Sequence, residues 1–236
     1  MSNPVRIAFV MEGSTDYVVL LAALRSLLDG RDFELTSISP ELDESLRPKS
    51  EGGWGSVFKW CRQVVEQAGG PARENPLFAL NDVIIAHVDA DVAGKKYKDC
   101  NIKDPPNNDL PCEKPCPPAT NTTNALRNVV LGWLSERDVP PKMVLCTPSK
   151  SIETWLLVAL FPDDDSAKKA DIECRGDCEV RLRKYGLIKS GQKLIDKYHA
   201  RERDVQNAWP AVRETCSEAD RFSREFMAWM PPTNNA

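Results

Sequence analysis

Short apolar runs alternate with helical stripes along the first two-thirds of the chain, and this alternation limits the possible folds more than any other feature. Val5 to Met11, Phe33 to Ser39, Asp82 to Val88 and Lys142 to Thr147 have the length and character of buried strands. Between them, Tyr17, Leu20, Leu21, Leu24, Leu27 and Leu28 recur at the spacing of one helical face, with Ser14 placed to cap the helix and Gly30 to close it. Val57, Trp60, Cys61, Val64 and Val65 mark a second helix that stops at Gly69-Gly70. Leu126, Val129, Val130 and Trp133 mark a third, and Ile152 to Leu160 a fourth that Pro162 ends. Strands alternating with helices predict an α/β fold, a mostly parallel sheet covered on both faces.

An α/β domain is expected over residues 1–161, with a helical C-terminal extension over 162–236 packed on it. From about Asp165 onward only helical signals occur, including Ala219, Phe222, Phe226 and Trp229. Between Val92 and Thr122 the pattern lapses into a stretch with six prolines and three cysteines, read as an insertion at about 92–122 that is either functional or disordered.

The net charge of −4 argues against a protein that coats nucleic acid by bulk electrostatics. Lys168 to Arg203 departs from that balance with eleven Lys/Arg against six Asp/Glu, and is the one candidate phosphate-facing patch. No stretch approaches the roughly 20 apolar residues that span a bilayer, and the N-terminus lacks a signal-peptide layout. The expectation is a cytoplasmic protein with no membrane contact.

The chemistry is concentrated where two of the strands end. Val5 to Met11 runs into Glu12-Gly13, and Asp82 to Val88 runs into Asp89-Ala90-Asp91. In a parallel sheet, ligands gather at such carboxyl ends. In extended backbone, Asp89 and Asp91 would point to one side and Ala90 away. Asp16 falls in the first turn of the following helix, where the dipole favours a carboxylate. Carboxylates converging on one edge repel each other unless a cation sits among them, and magnesium prefers such an open oxygen set.

On Val10-Met11-Glu12-Gly13-Ser14-Thr15-Asp16 and Ile84-Ile85-Ala86-His87-Val88-Asp89-Ala90-Asp91, the chain resembles a TOPRIM domain. That fold is shared by topoisomerase and primase catalytic modules and by OLD-type nucleases. The resemblance implies a TOPRIM-like catalytic domain in which Glu12 does acid/base or metal work and Asp89 and Asp91 bind magnesium or manganese. The E-x-x-x-D form is closer to the OLD-type nucleases and adds Asp16 as a ligand. Those enzymes also use a serine and a glutamate two apart after a later strand, a place that Ser151 and Glu153 fill. Thr147 to Trp155 is also similar to small TOPRIM-like effectors of bacterial defence loci, some of which partner an ATPase.

The implied activity is metal-dependent cleavage of DNA or RNA phosphodiester bonds in anti-phage defence, with an ATPase as partner and a homo-oligomer as a compatible assembly. Two cations about 4 Å apart would clamp the attacking and leaving oxygens. Lys150, or a basic residue of the tail, would neutralise charge on the phosphate. Glu153 also reads as a first-turn carboxylate meeting the helix dipole. Two other functions fit the same residues. One is a TOPRIM interaction module that no longer cuts; the other is a HAD-like phosphohydrolase using Asp89-x-Asp91 as its nucleophile pair.

Eight cysteines without a secretion signal argue against a disulfide framework. Cys61 and Cys146 fall at core positions. Cys112-x-x-x-Cys116 and Cys174-x-x-x-Cys178, with Cys100 as a spare, could close a structural zinc site that staples the insertion to the tail, or remain free loop thiols. His87, on a buried strand, reads as a packing residue.

Overall fold

The computed structural model describes residues 3–49 and 52–230, and in them the alternation becomes an α/β fold. In chain order the elements are β1 (Val5–Val10), α1 (Ser14–Leu28), β2 (Phe33–Ser39), α2 (Trp54–Ala68), the single turn α3 (Leu77–Leu80), β3 (Val83–His87), α4 (Thr120–Trp133), β4 (Met143–Cys146) and α5 (Glu153–Leu160). The remainder comprises α6 (Cys178–Lys184), the strand pair β5 (Ile188–Lys189) and β6 (Gln192–Lys193), α7 (Ile195–His199), α8 (Glu202–Thr215) and α9 (Ser217–Ala228). Two expectations change. Gly13, not Ser14, is the residue before the first helix, with no side-chain cap. The tail is not wholly helical, since β5 and β6 form an antiparallel hairpin.

β1 to β4 form one sheet in the order β2-β1-β3-β4, each neighbouring pair parallel. Apart from Arg6, every residue of β1, β3 and β4 is buried, as a parallel sheet covered on both sides requires. Side-chain parity divides these strands between two cores. Ile7, Phe9, Ile85 and Val144 pack in the core that contains α1 and α5, while Ala8, Val10, Ile84 and Leu145 pack in the one that contains α2 and α4. Thus the connection through α1 lies on one face and those through α2 and α4 on the other. The strand order reverses between β1 and β3, and such a reversal opens a crevice at the carboxyl ends of the two strands.

The tail is part of the first core. Helix α8 lies against α1 and α5, and α9 lies against β4. Trp155 of α5 meets Trp209 of α8 at 5.6 Å and Phe222 of α9 at 6.2 Å between ring centroids. On the opposite face Tyr97 contacts Trp54, Phe58 and Trp133, and the Trp133 indole N–H donates to its hydroxyl. That contact anchors the irregular stretch after β3 to α2 and α4. Among the described residues no helix is long and apolar enough to cross a membrane.

Because Trp209 is 1% exposed and bridges the tail to α5, Trp209→Ala should destabilise the protein by about 3–5 kcal/mol. Urea unfolding measures this. A change as small as that of Met227→Ala, at a 44% exposed position on α9, would contradict the tail's role in the core.

Candidate metal centre

Val10 is in register with Ala86, so β1 and β3 release their chains side by side. The acidic residues meet there. Glu12 turns back across the crevice, and the Asp89 N–H donates to its Oε1 (2.8 Å), linking residues 77 apart in sequence. The Asp89 carboxylate spans to the next loop, where the Ile152 N–H donates to Oδ1 (2.9 Å). The loop before α5 is held on β3's exit as well: the Ala90 and Asp91 N–H groups donate to the Pro148 and Lys150 carbonyls (2.9 and 2.8 Å). This places Ser151 and Glu153 beside Asp89, while Asp16 reaches the same region from the first turn of α1.

The Asp-x-Asp segment is not extended, as sequence periodicity suggested. Ala90–Val92 is a tight 3-10 turn, which separates the two carboxylates. Asp89 is buried, whereas the Asp91 side chain is half exposed and pairs with Lys95 (3.0 Å). Lys150 sits in the left-handed region (φ 63°) with its ammonium on Glu113, and with Asp91 and Glu113 it lines one small cavity. A second cation stands closer to Glu153: Lys193 of β6, whose Nζ lies 2.7 Å from Oε1.

His87 does more than pack. It is fully buried on the same face as Asp89, with Nε2 3.2 Å from Asp89 Oδ1 and Nδ1 3.7 Å from Asp16 Oδ2. Neither contact has hydrogen-bond alignment. The Tyr198 hydroxyl donates to Glu153 Oε1 (3.2 Å), while Glu153 Oε2 is buried with no hydrogen-bond partner among the described residues.

The electrostatics record crowded negative charge. Burial, then the charge of Asp89, pushes the Glu12 carboxyl up to about 8. Burial raises Glu153 to about 7 despite Lys193, and raises Asp16 despite His87. Asp91 is raised by burial and by Asp89. Burial opposes a charge on His87, but Asp89, Asp16 and Glu12 outweigh it and lift the imidazole to about 9.

Among the described residues no three His, Cys, Asp or Glu side chains already surround one point as metal ligands. The hydrogen bonds explain this: Glu12 and Asp89 are turned onto backbone N–H groups, and Asp91 and Glu153 onto lysines. The donor set still suits a hard cation, since it is all oxygen and includes the unpartnered Glu153 Oε2. A buried carboxylate oxygen left without a donor is costly, and a bound ion, a water or a proton would each offset that cost.

The cysteines behave differently from expectation. Cys116 and Cys174, expected as zinc ligands or free thiols, form a single disulfide that joins the stretch after β3 to the tail. Cys112 is exposed, Cys178 is buried against Thr154, and Cys100 packs against Gly55. A zinc site built on these pairs requires that bond to be reduced.

Lys193, Tyr198 and the contacts of His87 were not anticipated from sequence. Ser190-Gly191 was the available turn signal before Lys193. Gly52 was also missed: it lies so close to the site that a Cβ there would be 2.4 Å from the Glu12 carbonyl oxygen. No protein-family model matches the chain, nor does any curated protein or solved structure.

Two measurements follow from this geometry. Gly52→Ala should displace the Glu12 backbone and cost about 1–3 kcal/mol in urea unfolding; a neutral effect would show that the approach is not tight. In chelator, stability should fall as pH rises from about 5 to 8. The raised Glu12, Asp16 and Glu153 carboxyls keep protons that the unfolded chain releases, and His87 keeps one that an unfolded imidazole releases near 6.5, so both contributions are lost with rising pH. The depressed carboxyls Asp82, Asp164, Asp177 and Asp220 act below their ordinary value of 3.8, outside that window. A urea midpoint that rises across the window would contradict the crowded-charge account.

Proposed function

We propose that this chain is a divalent-metal-dependent nuclease of TOPRIM type that hydrolyses phosphodiester bonds of DNA or RNA, working in anti-phage defence with an ATPase partner. The observation that carries the reading is the bond from the Asp89 N–H to Glu12 Oε1 at the point where the strand order reverses. It brings together the two acidic motifs on which the TOPRIM resemblance rests. Asp16 and Glu153 beside them extend the resemblance to the OLD-type pattern.

Glu12, Asp16, Asp89 and Glu153 would hold magnesium or manganese, with Asp91 and Ser151 at the margin. When bound, the ion supplies Lewis acidity to the phosphodiester and to an attacking water. The chain's own residues do the rest. Asp89 fixes the start of α5 through the Ile152 N–H and so holds Glu153 in place. His87 places positive charge behind Asp89 and Asp16, which limits the repulsion among the carboxylates. Glu12, half-buried at the lip of the crevice with its Oε1 on the Asp89 N–H, would take a proton from water in its ionised form. Lys150, which lines a small cavity with Asp91, would offer an ammonium for charge that builds on the phosphate.

A second reading, the interaction module that no longer cuts, is favoured by one observation. Lys193 and Lys95 already neutralise Glu153 and Asp91 from within the chain. The phosphohydrolase reading is favoured less, because Asp89 is 6% exposed and committed to Ile152 and His87, a poor position for in-line attack.

Incubating the purified chain with plasmid DNA and transfer RNA separates these readings. Cleavage should appear with magnesium or manganese and stop with EDTA, and Asp89→Ala should reduce the rate on the order of a hundredfold or more. Equal activity of Asp89→Ala and wild type would overturn the nuclease assignment.

A further inference from the structure

The acidic centre contains a cation of its own, and its attachment to the fold is specific. β5 and β6 are two residues each, joined by Ser190-Gly191 with φ of 51° and 78°, the left-handed pair that a tight hairpin turn requires. Lys193 stands directly opposite Ile188 in that hairpin. Directly opposed residues project to the same face, and Ile188 is 3% exposed in the core, so the register turns Lys193 inward as well. The Lys193 ammonium ends 2.7 Å from Glu153 Oε1, with its side chain 29% exposed against 0% for Glu153. Tyr198 donates to the same oxygen, and Oε2 remains unpartnered. One oxygen of Glu153 is therefore occupied by the tail and the other is not.

From this geometry we propose that Lys193 is a tethered counter-ion of the acidic centre, which a divalent cation must displace from Glu153 in order to bind, so that the tail hairpin sets the centre's metal affinity. This rests on the metal-centre reading above. The physical reason is that an ammonium and a divalent ion on one buried carboxylate repel each other strongly where little water screens them. Burial opposes the charge on Lys193, but the fields of Glu153, Asp16 and Asp89 outweigh it and hold its pKa above the ordinary lysine range. Without a metal, this charge keeps the carboxylates from driving one another apart, since a buried carboxylate stripped of its partner is strongly destabilising. With a metal, the four-carbon stem lets the ammonium retreat into the solvent that it already partly touches. Lys193 is thus a positioning residue for the centre, and its removal acts on metal binding and on metal-free stability in opposite directions.

Manganese binding to the full chain, measured by calorimetry and by the electron paramagnetic resonance of free Mn2+, tests this with Lys193→Gln, Lys193→Met and Lys193→Arg. The two neutral variants should bind Mn2+ roughly tenfold more tightly than wild type, whereas the arginine variant, which keeps the charge, should stay near wild type. In EDTA the neutral variants should melt below wild type, yet gain more in Tm from Mn2+ than wild type gains. A merely structural role would lower Tm without tightening metal binding, and that result overturns the proposal. Should the neutral variants fail to fold, the wild type still provides a test. Its Lys193 15Nζ resonance, sharp while the ammonium is held on Glu153, should be lost on saturation with Mg2+, and persistence of the resonance at saturation would overturn the proposal. If wild type binds Mn2+ and the neutral variants bind it no better, this inference falls and the metal centre stands; if no form binds Mn2+, both fall.

Discussion

The bond from the Asp89 N–H to Glu12 Oε1 is the contact around which the site is organised. It exists because β1 and β3 are neighbours although β2 lies between them in sequence, and because both strands run parallel and end at the same edge. At that edge loops leave for opposite faces of the sheet, so side chains there can converge without a helix lying over them. Asp89 passes the constraint on. Its backbone holds Glu12, its carboxylate holds the start of α5, and α5 carries Glu153 into the same region. A shift of either strand by one residue would turn these side chains to the other face.

Convergence of buried carboxylates is unfavourable in itself, and the surrounding structure offsets it. Desolvation raises Glu12, Asp16 and Glu153 together, while His87 supplies positive charge from the strand and Lys193 from the tail. The tail therefore has two physical roles. Trp209, Phe222 and Phe226 complete the core over α1 and α5, and the short hairpin between α6 and α7 delivers the ammonium. The irregular stretch after β3 is bound to both halves, through Tyr97 to α2 and α4 and through the Cys116–Cys174 bond to the tail.

The sheet was legible because its strands are buried on both faces and so appear as unbroken apolar runs, and the helices because each has one apolar stripe. The strand ends and their acids followed from the same pattern. What sequence periodicity could not supply was the path of the backbone beyond the strands. Asp89-Ala90-Asp91 reads as extended, but the backbone N–H groups of Ala90 and Asp91 bond to Pro148 and Lys150, and the chain turns there instead. Lys193 lies in the basic stretch that was marked for a phosphate, yet two-residue strands carry no periodic signal, so its direction was invisible. Likewise His87 has the burial expected of a core residue, and only the meeting of α1 with β3 shows which charges it faces.

The claim that these carboxylates form a divalent-metal centre is tested most directly by anomalous diffraction from crystals of the protein grown with manganese. A manganese peak bounded by Asp89 and Glu153, with Glu12 or Asp16 as a further ligand, is the predicted result. Manganese bound elsewhere on the chain while this crevice stays empty at saturating concentration would contradict it.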